Sequence, residues 1–513
     1  ILRGKMGKIS RQKVRSEFLD ITIQDPVNGA DIVTTIDVNI QDLAERSLVD
    51  ELKLINGNVG VAVVMEVKTG DIKAIVNMTK CADGEYYEIK NSAVSDLLEP
   101  GSVFKTASLM VALDDGVVDT TYTVDTGSGI WDMYGAKMRD HNWHRGGYQV
   151  LTLPQTLEYS SNIGVSRIID KYYGKNPEKF VQGLDRIGIR EDLKLPIVGY
   201  ASPRIRMPKK NKRGQYVNWS KTALPWMSIG YETQVPPIST LTFYNAIANG
   251  GTMMRPRFVK AVMKDGQIIQ EFPPEVIKQR ICKEKTLREI TTILEHVVSQ
   301  GLGKKAGSPS FKVAGKTGTA QISKGAAGYK SGTMNYLLSF VGFFPADAPR
   351  YSCIVCIQRP GLPASSGFSA QVFHNIAEGI MAQSLKLDVA DARDSLSVFV
   401  PDVKNGDLAA ADYVLKCLGI NAKKTWDWQH LNGKSIWGDA ENDGKTVTFT
   451  RGESYAAGVV PDVTGMGARD AVYALESRGL KVRLSGRGKV KSQSLPPGHK
   501  IRKGEACSLN LEL

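Results

Sequence analysis

Two hairpin signals, set at opposite ends of a long and mainly helical stretch, limit the folds open to this chain more than any other feature. Residues 58–65 and 71–78 are apolar, β-rich runs joined by a turn at Lys68-Thr69-Gly70. Residues 338–344 and 351–357 repeat the pattern around Pro345-Ala346-Asp347-Ala348-Pro349. Between them, apolar spacing predicts helices near 103–113, 154–170, 236–248 and 285–299. Ahead of them a helix opening near Asp37 places Ile40, Leu43, Ala44, Leu48 and Leu52 on one face. Strands that enclose helices in this way predict one antiparallel sheet flanked by helices, spread over residues 31–388.

At its C-terminal end the chain repeats itself. Val400-Pro401-Asp402-Val403 recurs as Val460-Pro461-Asp462-Val463, sixty residues on. The offset then holds for Ala411 and Ala471, Tyr413 and Tyr473, Leu415 and Leu475, and Gly419 and Gly479. Each copy reads as a short extended segment, a helix with apolar residues at i, i+3 and i+4, and a glycine stop. The second copy ends in strand-like residues 506–513 after a turn at Pro496-Pro497-Gly498. Two small αβ modules are therefore expected, a degenerate one at 396–456 and a second at 457–513. Residues 1–30 precede the large unit as a linker, and residues 1–16 read as a solvated arm.

A length of 513 residues, 42% of them hydrophobic and 23% charged, excludes a disordered chain and asks for several domains. No run approaches 18 apolar residues, so nothing in the sequence spans a bilayer. The chain begins Ile1-Leu2-Arg3 rather than with Met, so it is expected to be a piece from which an anchor is missing. Its net charge of +13 asks for an anionic partner. That charge is local: residues 1–16 and 201–216 each carry six bases and no acid, and residues 459–513 carry ten bases against five acids. An anionic membrane or cell wall explains such patches, and no motif supports nucleic acid.

The six cysteines are scattered and form no disulfide framework. Cys353-Ile-Val-Cys356 lies in a strand, where residues three apart face opposite sides roughly 10 Å apart, so the pair can neither bridge nor share a metal. His141 and His144 have no third ligand nearby and make a poor zinc site. No metal or cofactor is expected.

Three short motifs carry chemistry. In Glu99-Pro100-Gly101-Ser102-Val103-Phe104-Lys105-Thr106, Pro-Gly breaks the incoming chain, so Ser102 is predicted at a helix N-terminus with Lys105 on the same face. An amine there can take the serine proton while the helix end favours developing negative charge. In Ser160-Ser161-Asn162, the Ser160 hydroxyl could pass a proton and the Asn162 amide could hold a substrate carbonyl. In Val313-Ala-Gly-Lys316-Thr317-Gly318-Thr319-Ala-Gln321, a strand would carry the Lys316 charge, with the Thr317 and Thr319 hydroxyls for a carboxylate. The Thr319 N–H could serve as an oxyanion donor, and Gly318 would admit a neighbouring backbone. Each pattern also occurs as a decoy, at Ser10–Lys13, Ser508–Asn510 and Lys68–Gly70, so what informs is the ordered set within one domain, with Ser102 on a helix start, Ser160 on an interhelical loop and Lys316 on a strand.

That ordered set is the signature of β-lactamases and penicillin-binding proteins, and the chain resembles a class B penicillin-binding protein. Thr35-Ile36-Asp37 with 40–45, 228–234 with 245–251, and 339–345 resemble further segments of that family. Residues 2–7 resemble the end of its N-terminal pedestal, and the two repeats resemble PASTA modules of its division-type members. The resemblance implies an α/β (α+β) transpeptidase domain with a five-stranded antiparallel sheet flanked by helices. It implies a serine D-Ala-D-Ala transpeptidase acting on peptidoglycan stem peptides through an acyl-enzyme and acylated by β-lactam antibiotics. It further implies a place on the periplasmic face of the cytoplasmic membrane, held by an N-terminal anchor, with a glycan polymerase and division proteins as partners at the septum. Ser102, Lys105, Ser160, Asn162 and Lys316 would be catalytic, and Thr317, Gly318 and Thr319 would bind substrate. The Lys316 charge is expected to depress the proton affinity of Lys105, the candidate base. Which of Lys105 and Ser160 handles each proton stays open. So do a D,D-carboxypeptidase or β-lactamase, although Glu158 is merely the acid nearest Ser160, and a β-lactam or cell-wall sensor.

Overall fold

In the computed structural model the two hairpins lie side by side in one sheet. Its order is Ala314–Gln321, Asn335–Phe344, Tyr351–Pro360, Val59–Glu66, Ile72–Lys80 and Tyr86–Tyr87, every neighbouring pair antiparallel. The five long strands are those predicted; Tyr86–Tyr87 adds a two-residue sixth at one edge. The structure describes residues 2, 4–14, 17–25, 27–264, 267–323, 333–391, 402–418, 420, 422–425, 436–443, 446–452, 458–502 and 504–512. Val400, Pro401 and Gly419 of the repeat, and Arg3 and Arg15 of the basic arm, lie outside them.

Strand alternation divides the interior into two layers, because successive side chains leave opposite faces of a pleated sheet. Val61, Val63 and Met65 enter one core with Leu109, Ile168 and Leu241 of three helices. Ala62 and Val64 enter the other with Leu48, Phe373 and Ile376. Cys356 belongs to the first core and Cys353 to the second, the opposite-face placement expected of the pair. Burial pushes the Cys356 thiol up to about 12 and Cys353 further still. A thiol reagent should therefore label exposed Cys417 first and half-buried Cys81 more slowly. Cys282, Cys353, Cys356 and Cys507 should react only on denaturation, and rapid native labelling of any of these four would contradict the burial.

Local rules set the helix ends. Asp37 caps Val38–Ile55 by accepting the Asn39 and Ile40 N–H groups at 3.0 and 3.2 Å, and Asn56 ends it in the left-handed region. The helical stretch expected around 154–170 is two helices, Leu153–Glu158 and Asn162–Tyr173, with Ser160 in the loop between them as expected. Thr152 and Gln155 form a capping box on the first, and Ser161 caps the second, so the chain must leave helical geometry between them. The residues read as a basic arm are also corrected. Lys8–Val14 pairs antiparallel with Glu17–Gln24 as a hairpin, and the alternation of Leu19, Ile21 and Ile23 was the overlooked signal.

The chain divides into two compact units, 1–386 and 387–513. In the second, the helix Leu408–Cys417 covers a small sheet around Leu408, Leu415, Val447 and Phe449. The helix Ala468–Glu476 covers another around Val463, Ala471, Leu475 and Leu509. The two sheets share a parallel pairing, Lys423–Lys424 with the Val447–Arg451 strand and Lys481–Gly486 with Ala506–Glu512. Trp437 of one stacks on Tyr473 of the other at 6.0 Å. Among the described residues no helix is long and apolar enough to cross a membrane.

Candidate active site

The Ser102 turn is held by two close backbone approaches. Gly101 takes φ +61°, and a Cβ there would lie 2.7 Å from that of Ala320 on the edge strand Ala314–Gln321. A Cβ on Gly318 of the same strand would lie 2.3 Å from Ser339 Oγ and 3.0 Å from Val103 Cγ1. Gly318 thus admits the neighbouring turn as expected. Ser102 does not sit at an α-helix N-terminus: it lies in a 3₁₀ turn, Gly101–Phe104, that runs into the helix Lys105–Asp114. Every residue of that helix is buried, since its apolar sequence has no polar stripe to offer solvent. Its polar groups find partners within the domain. Thr106 Oγ1 lies 2.7 Å from Tyr244 Oη, and Ser108 Oγ donates to the Ser228 carbonyl at 2.7 Å.

Lys105 is fully buried, and its Nζ donates to the Ser160 carbonyl at 2.6 Å and to Ser160 Oγ at 3.2 Å. Burial pushes this amine down to about 7 from the ordinary value of 10.5, against the opposing pull of the Asp140 carboxylate. Lys316, also fully buried, donates to the Thr317 carbonyl at 3.0 Å and to its Oγ1 at 3.2 Å. Burial holds Lys316 well below the lysine range, and the Lys105 charge adds to that. The expectation that the Lys316 charge depresses Lys105 is therefore corrected: burial is the principal cause at both. Thr317 is buried and Thr319 exposed, so only the latter hydroxyl is open to solvent.

Ser160 occupies φ +54°, a left-handed conformation that costs a residue with a Cβ roughly 1–2 kcal/mol and persists here because both flanks are pinned. Asn162 aims its amide at the Arg139 carbonyl, 2.7 Å away. Glu158 turns to His296, Oε1 to Nδ1 at 3.3 Å, and so joins two helices. The 141–148 loop borders the site. His141 Nε2 lies 3.0 Å from Tyr148 Oη, and Tyr148 stacks on Tyr159 with centroids 5.2 Å apart. Burial lowers His141 most, Asp140 opposes, and Lys105, Lys316 and His144 add to the lowering. In the basic 201–216 loop, Arg206 pairs with Glu232 and Lys210 lies 3.2 Å from Glu178, so part of that charge is neutralised locally.

The serine turn, the SSN turn and the lysine strand thus converge within one domain. A family profile described as the penicillin binding protein transpeptidase domain matches residues 60–378. The chain belongs to that family. A second profile, the PASTA domain, matches residues 458–511. Stage V sporulation protein D of Bacillus subtilis is 27% identical over 525 residues, covering 99% of this chain and 70% of that protein. The probable peptidoglycan D,D-transpeptidase PenA of Neisseria meningitidis is 28% identical over 344 residues, covering 65% of this chain and 53% of that one. Among solved structures, penicillin binding protein 3 of Mycobacterium tuberculosis complexed with ampicillin has a TM-score of 0.60 at 27% identity. That match covers 71% of this chain and 80% of the other. The chain spans 70% of the length of one of these curated relatives and about half of the other.

One group of this penicillin-binding protein escaped the sequence reading altogether. Asp140 is 1% exposed and its carboxylate accepts from Ser161 Oγ at 2.7 Å, Asn162 N–H at 2.6 Å and Ile163 N–H at 3.1 Å. Nothing in its spacing marks it, because it reaches the SSN turn only through the fold. Gly230 was noticed within a family-like segment but not for its role. Its carbonyl accepts the Gly101 N–H at 3.2 Å, and it lies directly against Gly101 beneath the serine turn.

Proposed function

We propose that this penicillin-binding protein is a serine D,D-transpeptidase that crosslinks peptidoglycan stem peptides through an acyl-enzyme at Ser102, and that β-lactams inhibit it by acylating the same oxygen. The reading is carried by Lys105, a buried amine three residues after the serine, hydrogen-bonded to Ser160 and pushed down to about 7. Near neutrality a large fraction of that amine is unprotonated and able to take the Ser102 proton as Oγ attacks the carbonyl between the two terminal D-alanines, whose amide bond breaks to release the last one. The Thr319 N–H supports the oxyanion, and the contact between Lys105 and Ser160 Oγ offers a path for the proton to the departing amine. A second stem-peptide amine then takes the acyl group and frees Ser102. A substrate carboxylate near Lys316 and Thr319 would restore the lysine's proton, since an opposite charge favours the charged form. Asn162 would meet the substrate from the rim.

Residues 31–388 form the catalytic domain in this reading, 1–30 a pedestal remnant, and 396–456 and 457–513 two PASTA-like modules. The enzyme works outside the cytoplasm, anchored by a segment preceding this sequence, beside a glycan polymerase and division proteins in septal wall synthesis. The ampicillin complex of the mycobacterial relative supports the β-lactam assignment.

Intact mass after exposure to a β-lactam tests the reading. Wild type should gain one adduct and Ser102→Ala none; an unmodified wild type, or an adduct kept by Ser102→Ala, would sink it. Incubation with a stem-peptide analogue and an amine acceptor should then yield the aminolysis product. Hydrolysis alone would reassign the site to a D,D-carboxypeptidase or β-lactamase, and acylation without turnover to a sensor.

A further inference from the structure

Asp140 is a buried carboxylate that the acyl-transfer steps above do not use. It follows the strand Ala136–Arg139, outside all three motifs. Its two oxygens take three donors, all from Ser161, Asn162 and Ile163, at the start of the helix Asn162–Tyr173. Ser161 Oγ in turn accepts the Gly164 N–H at 2.9 Å, so the free N–H groups of that first turn are met by one carboxylate and one hydroxyl. The charge of Asp140 is balanced by these hydrogen bonds, the helix N-terminus and Lys105 across the site.

We infer that Asp140 is a positioning residue for acyl transfer, locking the Ser160–Asn162 turn onto the Lys105 amine and supplying the negative charge that Lys105 balances. The inference rests on the acyl-transfer reading of Ser102. Two links tie it to the chemistry. Ser160 presents its carbonyl and hydroxyl to Lys105 only while its φ of +54° is held, and Asp140 grips the two residues that follow. Electrostatically, Asp140 opposes the effect of burial on Lys105. The groups facing Lys105 are Asp140 and His141 from the loop, Lys316 from the edge strand, and Ser160. Those facing Asp140 are Lys105, His141 and Tyr148.

Asp140→Asn separates charge from geometry, because an amide oxygen can still accept the two backbone N–H groups. Removing the negative charge lowers the proton affinity of Lys105, so the unprotonated amine persists to lower pH. The rate of Ser102 acylation by a fluorescent β-lactam, measured from pH 5 to 9, should rise along a limb near pH 7 in wild type. In Asp140→Asn that limb should move acidward by on the order of one pH unit, to a lower plateau. A plateau that falls with the limb unmoved, or a limb that moves to higher pH, overturns the inference and leaves Asp140 structural. A wild type that takes no adduct at Ser102 overturns the acyl-transfer reading and the inference with it. Should Asp140→Asn not fold, Ser161→Ala keeps the carboxylate and loses one of its donors. Its plateau should fall several-fold with the limb unmoved, and a wild-type plateau in that variant overturns the inference.

Discussion

Lys105→Met should slow the acylation of Ser102 by a β-lactam about 10²–10⁴-fold while the protein stays folded. The loss follows from taking away the amine that accepts the serine proton. The retained fold follows from the site: a fully buried lysine is exchanged for an apolar side chain of similar length, a change interiors tolerate well. The same lysine also shapes stability against pH. Its proton affinity drops from 10.5 to about 7 on folding, so between those values the unfolded chain binds a proton that the folded one does not. Stability supplied by this group therefore rises with pH from about 7 toward 10.5, and Lys105→Met should flatten the rise. Stopped-flow acylation and thermal melts at several pH values check both. Acylation within tenfold of wild type would remove Lys105 from the role of base.

Gly230→Ala should destabilise the large unit by about 2–5 kcal/mol and cut acylation with it. Two costs combine. Gly230 holds φ +86°, which a side chain resists by roughly 1–2 kcal/mol. The new Cβ would also lie 2.2 Å from the Gly101 carbonyl oxygen and 2.7 Å from the Gly101 nitrogen, backbone that cannot rotate away. Relief requires moving Gly101, and so the turn that carries Ser102. Gly84→Ala is the matched control: its φ is likewise +86°, but nothing lies within 4 Å, so only the conformational cost applies and acylation should be unchanged. Equal melting shifts for the two variants would show that the Gly101–Gly230 contact contributes nothing.

What could be read from residues alone was whatever depends on local spacing. Continuous apolar, β-rich runs at 58–65, 71–78, 338–344 and 351–357 announced the strands, because a strand covered on both faces needs apolar residues at nearly every position. The two-residue period of a strand put Cys353 and Cys356 in different cores. The repeat announced two αβ modules, because equivalent cores need equivalent apolar positions. Ser102, Lys105, Ser160 and Lys316 were legible as an ordered set, since each motif is short and carries its chemistry within a few residues. The interhelical loop at Ser160 was legible too, whereas the 3₁₀ turn at Ser102 was missed, because only its packing against the edge strand and Gly230 sets that geometry.

The tertiary structure alone decided the state of the lysines and the grip on the SSN turn. Proton affinity is set by what surrounds an amine in space, and no spacing along the chain shows that Lys105 and Lys316 are both sealed from water. Asp140 lies 21 residues before Ser161 and meets it through a hydrogen bond that folding alone creates. Motif chemistry is local and therefore written in order along the chain. Desolvation and the contacts between distant segments exist only once the chain has closed on itself.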